Sequence, residues 1–169
     1  GFLVRAFQCG SSVLNRLYDD YVMRVIELSR KAGREAHLFT GFVRFHEVGQ
    51  NQVLYAKIEP KCNVLPLIEG HFSERFPGEN FIIYDAVRKF SVVHKKFMVS
   101  YFVKDQEMSF EDLDKEGLRK RNEGDDYKDL WKTYFDAIFI PERENARCQN
   151  TLVPKWYRKN MPEFHTQKG

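Results

Sequence analysis

Cysteine is scarce: Cys9, Cys62 and Cys148 are the only three in a chain of 169 residues, and they lie far apart. With no C-x-x-C pair and an odd count, they hold no iron–sulfur cluster, and they fit a reducing, cytoplasmic compartment. Glycine-rich phosphate loops are missing too. Neither GxGxxG nor GxxxxGK[ST] occurs, which argues against a nucleotide cofactor, and no cofactor is expected. No Gly-x-Ser-x-Gly elbow or paired Ser and His marks a nucleophile. No apolar run approaches membrane-spanning length and no signal-peptide pattern is present, so no membrane partner is expected. Charge of one sign is not in excess either. Twenty-seven Lys and Arg against 24 Asp and Glu leave +3, too little to prove a polyanionic partner.

What the chain does have is apolar mass, much of it in rings. Hydrophobic residues make up 43% and aromatics 15%, with 15 Phe and eight Tyr, which excludes disorder as the main state. The length fits a single domain over 1–169 with a real core. The chain opens on Gly1-Phe2-Leu3-Val4-Arg5-Ala6-Phe7, without Met and already apolar, and reads as a fragment truncated upstream.

Periodicity supplies the elements. Ser11 or Ser12 can cap a first helix with the stripe Leu14, Leu17, Tyr18, Tyr21, Val22, Val25 and Leu28, weakened at Gly33, so that 1–34 is an N-terminal helical region. From Leu38 the period reads as two, with Phe39, Gly41, Val43 and Phe45 on one face. A turn at Val48 to Asn51 and a second strand from Val53 to Glu59 make a hairpin, which Pro60 ends. Asn63 is placed to cap a helix burying Leu67, Ile68 and Phe72 and closing at Phe76-Pro77-Gly78. Strands at Phe81–Ala86, Lys89–His94 and Phe97–Val103 follow as an antiparallel meander. Residues 105–126 read as a charged linker. The spacing of Tyr127, Leu130, Trp131, Tyr134 and Phe135 predicts a helix, and 141–169 form a basic tail with short helical turns around Asn145 and Lys155. The sum is an α+β domain: an antiparallel sheet of about five strands, packed by three or more helices mainly on one face.

Two groups of residues carry possible chemistry. Glu35, Arg44, Glu59, His71, Arg75, Asp85 and Arg88 can line one polar cleft, in which His71 beside a carboxylate would serve as acid or base toward damaged DNA. The simpler reading makes Glu35–Arg44 and Asp85–Arg88 ion pairs that orient the hairpin and the turn. His94 and His165 stand apart and read as exposed. A metal site needs three or four converging ligands, and the spacing of His37, Glu59, His71 and Asp85 matches no such motif.

The second group lies in the tail. Residues 142–169 carry six Lys or Arg against three Glu. Arg143, Arg147, Lys155 and Arg158, with Lys159, can neutralise phosphates; Trp156 and Tyr157 offer planes for unpaired bases; Asn145 and Gln149 can read base edges or cap backbone. The competing reading has the rings dock the tail and Arg143 and Asn145 satisfy carbonyls at a helix end. In a third reading the domain docks a protein, with Trp131 and Trp156 near the contact.

Four blocks in order then become recognisable: Glu35-Ala36-His37-x-Phe39-x-Gly41-Phe42-Val43-Arg44-Phe45; Ile58-Glu59-Pro60 with Asn63 to Leu67, His71-Phe72 and Arg75-Phe76-Pro77; Ile83-Tyr84-Asp85-x-x-Arg88; and Leu130-Trp131 through Pro141-Glu142-Arg143-x-Asn145 to Tyr157. Together, from about residue 20 onward, they resemble the bacterial family labelled "probable DNA metabolism protein", built on domain of unknown function 4130. That resemblance implies a DNA repair or modification context and a radical-SAM protein as partner. Some members continue into a uracil-DNA-glycosylase-like domain. It implies no established reaction or catalytic residue. Without the family's upstream segment, and with no such domain after Gly169, a stand-alone glycosylase is not expected. The expectation is an accessory, nucleic-acid-engaging domain, with DNA as its partner.

Overall fold

The computed structural model describes residues 1–48, 53–104 and 145–164. Helix α1 (Phe2–Cys9) leads through a 3-10 turn (Gly10–Asn15) into the long helix α2 (Asp20–Phe42). Strands β1 (His46–Val48) and β2 (Val53–Ile58), helix α3 (Leu65–Arg75), and strands β3 (Phe81–Asp85), β4 (Phe90–His94) and β5 (Tyr101–Lys104) follow. The described tail contains α4 (Ala146–Leu152) and 3-10 turns at Lys155–Asn160 and Pro162–Phe164.

The five strands form one sheet in the order β1-β2-β3-β4-β5. Three of the four pairings are antiparallel, and β2 with β3 is parallel. The meander foreseen for the last three strands is present, and the one departure from an antiparallel sheet comes from α3. A helix between two neighbouring strands returns the chain to the end from which it started, so the second strand runs parallel to the first. Every residue of the central strand β3 is buried.

One face of the sheet packs against α2 and α3 through Ala36, Phe39, Val43, Leu65, Ile68 and Phe72, over Ala56, Ile58, Phe81, Ile83 and Val92. The other face is not bare. Val48, Tyr55, Ile82, Tyr84, Val93 and Val103 form a second buried cluster, so the expectation of one mainly covered face is corrected.

The hairpin at β1 and β2 forms, but shorter than expected on its first side. Leu38 to Phe42, read as strand, are the last turns of α2. The buried Phe39 lies four and three residues after the buried Glu35 and Ala36, and Val43 follows four later at the cap, so a helical stripe underlies what looked like alternation. Gly33 does not end the helix, and the start lies at Asp19, whose carboxylate accepts the Tyr21 N–H at 3.0 Å and pairs with Arg5 at 2.6 Å. Ser11 and Ser12 lie in the 3-10 turn instead. Of the stripe foreseen for that helix, Val22 is buried while Leu14, Leu17, Tyr18, Tyr21 and Leu28 are exposed.

Helix α3 has Pro66 in its first turn and no side-chain cap, so Asn63 does not cap it; Leu65 joins Ile68 and Phe72 in the core, and Leu67 is exposed. Residues 97–100 are not strand. The chain turns there, with Phe97 at φ 58°, and β5 begins only at Tyr101. His94 is buried rather than exposed, stacked on Phe81 at 4.7 Å with its Nδ1 3.0 Å from the Ser100 hydroxyl. The charged linker 105–126, the Tyr127 helix, Arg143 and His165 lie outside the described residues.

Candidate functional site

The link from β2 to α3 is where the two candidate groups meet. Pro60 stops the ladder, which leaves the backbone groups of residues 59–62 without strand partners. Side chains from three directions supply them. Glu35 of α2 accepts the Lys61 N–H at 2.9 Å and the Cys62 N–H at 2.6 Å. Arg88 donates to the Pro60 and Lys61 carbonyls at 3.1 and 2.6 Å, and is held by Asp85 at 3.0 Å. The other Asp85 oxygen accepts the N–H groups of Val87 and Arg88, which shapes the β3–β4 turn.

The tail closes this link from outside. The Trp156 indole N–H donates to the Glu59 carbonyl at 2.9 Å, Lys159 pairs with the Glu59 carboxylate at 2.8 Å, and the Tyr157 hydroxyl donates to Glu35 at 2.9 Å. The Tyr157 ring meets Phe39 edge-on at 5.4 Å and Phe42 at 5.5 Å. Cys62, which the sequence reading does not single out, and Tyr157, offered there as a stacking plane or as a ring that docks the tail, therefore stand at the centre of the cluster, with Tyr157 in the docking role. The sequence signal for Tyr157 was its adjacency to Trp156 before a basic run; Cys62 gave none.

The electrostatics follow from this packing. Burial pushes the Glu35 carboxyl up, but hydrogen bonds from the Lys61 and Cys62 amides, the Cys62 thiol and the Tyr157 hydroxyl outweigh it and hold the pKa below the ordinary value. Burial and then the Glu35 carboxylate push the Cys62 thiol up, against the pull of Lys31 and Arg88. The same two causes push Tyr157 up to about 12. A carboxylate held ionised beside a phenol and a thiol held neutral make a firm acceptor and two firm donors. None is tuned toward proton transfer near neutrality.

The seven residues foreseen for one cleft are thus divided. Glu35, Glu59, Asp85 and Arg88 surround the link, and Asp85–Arg88 is an ion pair. The Glu35–Arg44 pair does not form: Arg44 binds Glu163 at 2.8 Å and the Gly41 carbonyl at 2.6 Å, because Glu35 is turned toward Lys61 and Cys62. His71 and Arg75 are exposed on α3, with the His71 ring against Phe72 and the Arg75 guanidinium over Phe76 at 5.7 Å. Neither hydrogen-bonds to the other five among the described residues. No group of three His, Cys, Asp or Glu among the described residues converges as metal ligands.

The tail residues divide as well. Asn145 caps α4 by accepting the Cys148 N–H at 2.9 Å. Arg158 donates to the Val153 and Gln149 carbonyls and to Asn150, and lies 4.5 Å over Phe164. Both side chains serve the tail's own fold. Arg147, Gln149 and Lys155 are exposed. Trp156 is 43% exposed, with the Lys159 ammonium 4.5 Å and the Lys61 ammonium 5.5 Å from its ring centre. Behind it, between Phe39, Phe42, Glu59 and Tyr157, about 10 Å³ remains free, too little for a nucleobase.

No helix among the described residues is long and apolar enough to cross a membrane. No curated protein and no solved structure matches the chain. One family does: the domain of unknown function DUF4130 matches over residues 1–163. A protein matched over nearly its whole length, from the four blocks to the tail that latches onto the β2–α3 link, belongs to that family of domains of unknown function.

Proposed function

We propose that this domain engages nucleic acid with the outer face of its docked tail, as an accessory component of a DNA repair or modification system whose chemistry resides in a radical-SAM partner. The observation that carries the reading is Trp156. Its indole N–H is tied to the Glu59 carbonyl, so the ring is held in place, yet 43% of the residue is exposed, and the ammonium groups of Lys159 and Lys61 lie over the ring at 4.5 and 5.5 Å from its centre. A fixed, half-open indole that already holds cations on its face suits an unpaired base that displaces the Lys61 ammonium toward a neighbouring phosphate, while Lys159 stays paired with Glu59. Lys155 and Arg147, both exposed, extend the basic surface along the tail. Gln149 stands beside them. The DNA context and the radical-SAM partner are what the family resemblance carried by the four sequence blocks implies.

Fluorescence anisotropy of labelled single-stranded and duplex DNA across a salt series tests the reading. Affinity should fall steeply with salt. Trp156→Ala should weaken single-strand binding by about 5- to 100-fold, and Arg147→Ala with Lys155→Ala should lower the salt slope by about two. A folded protein that binds neither DNA at low salt would refute it. Co-purification with the radical-SAM protein tests the partnership separately.

A further inference from the structure

The turn between β4 and β5 exposes three apolar residues in succession: Phe97 at 76%, Met98 at 63% and Val99 at 89%. This turn is built rather than loose. The Phe97 N–H donates to the Pro77 carbonyl at 2.8 Å, the Lys96 N–H to the Asn80 side chain at 3.0 Å, and the Met98 N–H to the Lys95 carbonyl at 2.8 Å. Phe97 holds φ 58°, a conformation that a β-carbon disfavours, and nearby Gly78 has only the Phe97 ring close to the position of a β-carbon. A strained backbone that points an aromatic ring into water calls for an occupant.

Charge identifies its kind. Residues 86–104 contain Arg88, Lys89, Lys95, Lys96 and Lys104 and not one Asp or Glu, in a chain with 24 acids. The four lysines are exposed, and so are Tyr101 and Phe102 on β5, the last strand of the sheet among the described residues. Lys104 pairs with Phe90 at the far end of the ribbon, roughly 15 Å from the tip. Cations and rings spaced along the ribbon match a linear polyanion carrying stackable bases. A membrane surface would engage the apolar tip and the lysines beside it, and would leave Lys104, roughly 15 Å away, without a role.

We propose that the β4–β5 ribbon is a second nucleic-acid contact, in which Phe97 and Met98 wedge against bases while Lys95, Lys96 and Lys104 meet the phosphates of the strand running along β5. The proposal rests on the nucleic-acid reading above and deepens it, at a place that reading does not use. The tip lies at the Phe81 end of β3, whereas Trp156 lies near the Asp85 end.

The test uses the full chain, with Phe97→Asn and Met98→Ser combined, since Asn accepts the positive φ and both side chains are exposed. A second variant carries Lys95→Ala and Lys96→Ala. With labelled single-stranded DNA, the first variant should lose at least about tenfold in affinity at an unchanged melting temperature. The second should lower the salt slope by about two. Unchanged DNA affinity in both, with Trp156→Ala still impaired, overturns the ribbon contact and leaves the tail reading standing. No DNA binding by the wild type sinks both. Binding to vesicles of equal phosphatidylcholine and phosphatidylserine that the first variant abolishes, with DNA affinity intact, overturns the ribbon contact in favour of a lipid surface.

Discussion

Glu35 is 5% exposed, yet its carboxylate stays ionised, because the Lys61 and Cys62 amides and the Tyr157 hydroxyl all donate to it. Its folded pKa lies below the unfolded value near 4.5, so the stabilisation is complete above that value and is lost as pH falls through the folded pKa. Glu35→Gln should cost about 2–4 kcal/mol at neutral pH, and urea unfolding should show the gap to wild type narrowing below the ordinary carboxylate range. A gap independent of pH would disprove the assignment. Tyr157 runs the other way. Its pKa is raised from 10 to about 12, so its share of stability is complete below the unfolded value and declines as pH rises through the folded one. Tyr157→Phe should cost about 1.5–3 kcal/mol and remove one component near 12 from an absorbance titration of tyrosinate.

At the scale of elements, α2 carries the most information per residue. It presents Glu35 to the β2–α3 link and Phe39 to the core, and Phe42 packs beside Tyr157. Gly33 lies inside it, and a β-carbon there would meet nothing within 4 Å. Gly33→Ala should therefore stabilise the domain by about 0.5–1 kcal/mol, read as a rise in melting temperature. A fall would mean that a partner segment approaches this face closely. The hairpin β1–β2 and the 3-10 turn after Pro154 were both expected from local signals, and both are present.

For the molecule as a whole, the decisive contacts join chain segments about a hundred residues apart. Tyr157 reaches Glu35, Lys159 reaches Glu59, and Arg44 reaches Glu163, whose side chain is only 4% exposed. Arg44→Ala would strand that carboxylate. The expected cost is about 2–3 kcal/mol, below that of a fully buried pair because Arg44 is itself 23% exposed. Hydrogen exchange should show residues 154–164 opening ahead of the sheet in the variant. Uniform destabilisation without local opening would contradict a separable latch. The latch also decides which tail cations remain for a ligand, since Arg158 is committed to Val153, Gln149 and Asn150, whereas Lys155 is exposed.

Local physics, readable along the chain, determined the α+β class, the hairpin, strands β3 and β4, and the helical turns of the tail, because apolar period, proline stops and turn residues act over a few positions. It also placed Asp85 and Arg88 at one turn. Only the tertiary structure decided that residues 38–42 are helix, since the burial that selects helix over strand there comes from the sheet, α3 and Tyr157. Tertiary packing alone set the parallel β2–β3 pair, turned Glu35 away from Arg44, and buried His94 against Phe81. Hydrogen-bond and ion partners depend on which segments meet across the fold, and a residue such as Cys62 gains its role from neighbours that its own surroundings in the sequence do not encode.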